Sequence, residues 1–123
     1  MKYLLLIYLN RESREVWMAL PESQRSEGLG AHAALNEELA ASGELIVTEA
    51  LADTALARRV SVREGRTITS DGPFAEAKEI LAGFYLVECE SIDRAVELAA
   101  RMPEAPIGEI EVRPIMDLKG LEM

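Results

Sequence analysis

The chain has 123 residues, 49% of them hydrophobic, with 22 acids against 13 lysines and arginines and a formal net charge of −9. That length holds one core rather than two, the apolar fraction excludes a disordered chain, and the acidity disfavours binding to a phosphate backbone. The single cysteine, Cys89, excludes an internal disulfide framework and fits a reducing cytoplasm.

The first element is expected at residues 3–9, Tyr-Leu-Leu-Leu-Ile-Tyr-Leu, apolar on both alternating faces as in a strand covered on two sides. The run is too short to span a bilayer, and no cationic region or small-residue cleavage site accompanies it, so neither a membrane segment nor a signal peptide is expected. Ser13 is the expected cap of a short helix carrying Val16, Trp17 and Met18. A second helix is expected to start with Pro21 at its first position and run to about Ser42, with an inward stripe of Leu29, Ala33, Asn36, Leu39 and Ala40. Gly43 stops it. Strands are expected at residues 45–51 and 59–63, the latter joined through Glu64-Gly65-Arg66 to residues 67–69 as a hairpin. Then comes the turn Ser70-Asp71-Gly72-Pro73, with an Asx-forming acid, a glycine free to take positive φ and a φ-locked proline. A strongly apolar strand follows at residues 81–89. Ser91 caps a helix with an expected apolar set of Ile92, Ala95, Val96, Ala99 and Met102, ended by Pro103. A last strand carries Ile110 and Val112.

This order predicts an α+β fold, a ferredoxin-like βαββαβ sandwich with an antiparallel sheet. Two main helices cover one face of such a sheet. The strand at residues 81–89 nevertheless offers Phe84 and Leu86 on one face and Tyr85 and Val87 on the other. The second face therefore needs a cover, and the simplest is the same face of another copy, giving a homodimer through sheet faces.

His32, the only histidine, is the first candidate for acid–base chemistry; the plainer alternative is a boundary histidine on a helix flank. Asp71 could orient it or act as a base, against a purely local role in an Asx turn. Glu76 and Glu79 would share one side of a helical turn, with Lys78 elsewhere, although exposed acids on so acidic a chain are ordinarily just solvated. Tyr8, Trp17 and Tyr85 are amphipathic aromatics able to line a pocket for a small-molecule ligand, with core packing as the alternative. Cys89 reads as core. One histidine and one cysteine give too few soft ligands for a transition metal, and Gly28 and Gly30 match no phosphate loop, so no metal and no cofactor are expected.

Asp71-Gly72-Pro73-Phe74-Ala75-Glu76, then Lys78-Glu79 and Gly83-Phe84-Tyr85-Leu86, resembles the signature of the DGPF-type branch of the YCII-related proteins. The start, Met1 onward, and the end, Ile110-Glu111-Val112-Arg113-Pro114-Ile115, are similar to that branch as well. The resemblance implies a single domain over residues 1–116, with 117–123 a tail, and a dimeric α+β barrel. It also implies a catalytic histidine and aspartate in a cleft, which map to His32 and Asp71. Ala77 stands where many relatives carry threonine. A frequent gene neighbourhood with alternative sigma factors opens a second expectation, a non-enzymatic binding or regulatory dimer.

Overall fold

The computed structural model describes residues 1–72 and 78–119. The elements run β1 (Lys2–Asn10), α1 (Arg11–Ala19), α2 (Glu22–Ser42), β2 (Leu45–Ala50), a single 3-10 turn (Thr54–Leu56), β3 (Arg58–Arg63), β4 (Arg66–Asp71), β5 (Glu79–Glu88), α3 (Ile92–Ala100) and β6 (Glu109–Pro114). Four strands form one sheet in the order β2-β5-β1-β6, every neighbouring pair antiparallel. With the β3–β4 hairpin set aside, this is the ferredoxin-like βαββαβ arrangement. The hairpin is a separate two-stranded sheet, inserted between β2 and β5.

The inward face of β1 supplies Tyr3, Leu5 and Ile7, and that of β5 supplies Tyr85 and Val87. Leu35 and Leu39 of α2 and Ala95 and Leu98 of α3 close over them, with Met102 just beyond α3, and all are buried. Removing this much apolar surface from water is the dominant stabilising term. A forked ion pair ties the two helical segments together: Arg94 of α3 donates through Nε and Nη2 to the Glu44 carboxylate, at 3.0 and 2.9 Å. Hydrogen bonding from that guanidinium holds the Glu44 carboxyl below its usual range.

Among the described residues no helix covers the opposite face of the sheet. Cross-strand registers place Leu4 beside Leu86 and Leu6 beside Phe84, with Val47 across from Leu86. Lys2 and Glu88, Glu49, Glu109, Glu111 and Arg113 share this face by the same registers and surround the apolar centre.

Several local expectations are corrected. The α1 cap is Asn10, not Ser13; its Oδ1 accepts from the Ser13 N–H at 2.7 Å, and Ser13 itself is buried. Pro21 caps α2 rather than occupying its first turn. The inward residues of α2 are His32, Leu35, Asn36 and Leu39, whereas Leu29, Ala33 and Ala40 are exposed. In α3 it is Leu98 that joins Ala95 and Ala99 inside, while Ile92 and Val96 face out. Gly72 does not use positive φ. It is needed for close approach, because a Cβ there would collide with the Thr54 carbonyl oxygen. Residues 73–77 of the signature turn, Glu76 among them, lie outside the described residues, and Glu79 opens β5.

Candidate functional site

A cleft of about 440 Å³ opens between the inward face of the sheet and the helices α1 and α2. Its apolar wall includes Ile7, Leu9, Trp17 and Met18. The Trp17 indole packs against α2 at Gly28, where a Cβ would come within 2.8 Å of the ring; a glycine lets α1 close in this far. On the sheet side the floor is made by Ala82 and Gly83, whose small size leaves room above the strand. Cavities of this size and composition hold small molecules.

One end of the cleft is polar. His32 projects from α2 between two partners: its Nδ1 lies 2.7 Å from the Tyr85 hydroxyl, and its Nε2 lies 2.7 and 2.9 Å from the two oxygens of Glu104. The histidine and tyrosine rings also stack, with centroids 5.7 Å apart. An ionised carboxylate only accepts, so Nε2 carries a hydrogen and donates to Glu104. In the neutral imidazole Nδ1 then accepts from the Tyr85 O–H. His32 and Glu104 are 18% and 14% exposed. Burial pushes the Tyr85 phenol up to about 12, opposed by the neighbouring Thr48 hydroxyl, so the phenol is a neutral donor at physiological pH.

Each member of this chain of hydrogen bonds is placed by a different element. Tyr85 sits on the inward register of β5, opposite Leu5. His32 occupies the inward face of α2, one turn before Leu35 and Asn36. Glu104 comes from the connection after α3, where its carbonyl accepts from Ile107 and Gly108 and so folds the segment back. Asn36 lines the same cleft, and its Oδ1 is buried with no hydrogen-bond partner among the described residues. At the other side of the cleft Arg14 of α1 pairs with Asp53.

Of the sequence candidates, His32, Trp17 and Tyr85 meet in the cleft. Tyr8 does not line it; it alternates with the buried Ile7 and Leu9 and turns toward the opposite sheet face. Asp71 ends β4 in the hairpin, 79% exposed, with its carboxylate 3.3 Å from Arg58. It is not among the hydrogen-bond partners of His32. Glu104 was not singled out from the sequence. An acid between Pro103 and Pro106 marks a loop and nothing more, and only the path of the backbone brings it to the imidazole. Cys89 is buried, and burial pushes its thiol up. Among the described residues no group of three or more His, Cys, Asp or Glu side chains is arranged to hold a metal ion. Among the same residues no helix is long and apolar enough to cross a membrane.

The chain is 33% identical, over 125 aligned residues covering 100% of it and 98% of the other protein, to an uncharacterised protein of Rhizobium meliloti. The model of the YCII-related domain matches residues 1–119. With that match spanning nearly the whole length, the chain belongs to the YCII-related family.

Proposed function

We propose that this protein is a small-molecule enzyme that moves a proton through Tyr85, His32 and Glu104. The observation that carries the reading is the imidazole held between a phenol and a carboxylate at one end of a mainly apolar cleft. The Tyr85 oxygen would take a proton from a carbon or oxygen acid while its own proton passes to Nδ1. The imidazolium so formed is stabilised by the Glu104 carboxylate, and no free tyrosinate is needed. The reverse transfer returns the proton to a second position, which suits isomerisation or elimination. The orienting role expected of Asp71 falls in this reading to Glu104. A metabolite screen by thermal shift, followed by turnover of each stabilising compound, tests it. Tyr85→Phe and Glu104→Gln should keep binding and lose turnover by about 100-fold or more, the usual scale for a positioned acid–base group. Wild-type rates in both variants would overturn it.

One observation favours a second reading. Both ring nitrogens of His32 are already engaged, as in a structural bridge, so a non-enzymatic metabolite-binding or regulatory dimer is the alternative. Ligand stabilisation without turnover in the wild type would decide for it.

We further propose that two copies pair through the uncovered sheet faces, with Leu4, Leu6, Val47, Phe84 and Leu86 at the centre. Their apolar character on a face without helices supports this. The Asp71-Gly72-Pro73-Phe74-Ala75-Glu76 sequence supports membership of the DGPF branch, and the lone buried Cys89 supports a reducing cytoplasm.

A further inference from the structure

The β3–β4 hairpin is the least explained part of the molecule. All of its twelve strand residues are exposed. Val60, Val62 and Ile68 are 65%, 66% and 47% exposed. A lone two-stranded sheet is at best marginally stable in water, and it does not normally display β-branched residues to solvent on both faces. The hairpin is nonetheless well constructed. Its turn places Glu64 and Gly65 at positive φ, 51° and 76°, as a tight primed turn requires. Its base is fastened by the Arg58–Asp71 ion pair and by the Gly72 N–H donating to the Ala57 carbonyl at 2.8 Å. A six-residue strand carries the tip about 20 Å from that base.

Its charge is opposite to that of the body. Arg58, Arg59, Arg63 and Arg66 lie in the hairpin, against Glu64 and Asp71, on a chain whose net charge is −9. Arg63 and Arg66 face one another across the strand pair next to the turn. The uncovered face of the main sheet has the complementary pattern. Around its apolar centre lie Glu49, Glu88 and Glu109, which make no ion pair among the described residues, with Lys2 beside Glu88 and Arg113 paired to Glu111, so that acids outnumber cations on this face. Two such faces brought together carry a net excess of acids, which added cations at the rim would offset.

We propose that the hairpin is a clasp for a second copy of this chain: Arg63 and Arg66 of each copy meet the acidic rim of the other's sheet face, and Ile68, which shares their face of the hairpin by register, is covered there. The clasp rests on the homodimer reading given above. Sedimentation velocity on the full chain tests it at low and moderate salt. The wild type should dimerise, more weakly as salt rises. Arg63→Glu with Arg66→Glu should raise the dissociation constant about tenfold or more while leaving the circular-dichroism spectrum unchanged. Adding Glu49→Arg and Glu109→Arg to that variant should recover most of the loss, a rescue that a merely destabilised fold would not give. A dimer abolished by Phe84→Asp but indifferent to reversal of the hairpin charges would overturn the clasp and leave the sheet-face pairing standing. A wild-type monomer would overturn both.

Discussion

The two sheets of this protein are both antiparallel and end in opposite situations. β1 and β5 bury Tyr3, Leu5, Ile7, Tyr85 and Val87 under helices. β3 alternates Val60 and Val62 with polar residues, β4 carries only Ile68, and none of their side chains is buried. Strand pairing is thus common to both, and burial is decided by whether helices pack over the sheet. β1 is followed by α1 and α2, and β5 by α3. The hairpin is followed by neither, and its stabilisation has to come from its turn, its base and whatever it docks against.

The sharpest break of this contrast is a cavity in the large sheet. Leu5→Ala should cost about 2–5 kcal/mol, since Leu5 is fully buried and its neighbours are held by two helices. Urea unfolding of the chain measures it. The next effect is alkaline. The folded-state pKa of Tyr85 is raised to about 12, so its contribution is complete below pH 10 and is lost as pH rises from 10 toward 12. That amounts to about 2–3 kcal/mol for a shift of this size, and Tyr85→Phe should flatten the stability profile in that window. Third, Arg94→Ala should cost about 1–2 kcal/mol at neutral pH by leaving Glu44 without its forked partner. The Glu44 pKa is lowered, so the contribution is present above the ordinary carboxylate range and fades as pH falls through it. The difference between wild type and variant should accordingly shrink at pH 3. The smallest effect belongs to the hairpin. Val62→Thr should change the stability of the isolated chain by less than about 0.5 kcal/mol, because the residue touches no core. A cost as large as that of Leu5→Ala would erase the contrast.

Most of the fold was legible because its signals are local. The two-sided apolar pattern of β1 and the 64–65 turn each depend on neighbours in sequence. The phase of α2 was not legible in the same way. Alanines surround that helix, so a stripe through Leu29, Ala33 and Ala40 fits the periodicity as well as the one through His32, Leu35 and Leu39 that the sheet selects. Within α3, Leu98 lies at i+3 from Ala95 and one turn before Met102 on the buried stripe, whereas Val96 falls on the flank and is exposed. The histidine was legible as a candidate by its chemistry alone. Its partners were not, since Tyr85 is 53 residues away and Glu104 is 72 residues away. Asp71, drawn to attention by a conspicuous turn, ends β4 of the hairpin.

The packing of Trp17 on Gly28 has a practical consequence. It is the one tryptophan in the chain, and it forms part of the wall of the cleft. Its emission therefore reports on that wall alone, free of background from other indoles. A compound that enters and displaces water should shift the emission to shorter wavelength, and Gly28→Val, by pushing the indole outward, should shift it to longer wavelength before any ligand is added. The molecule carries its own optical gauge of occupancy.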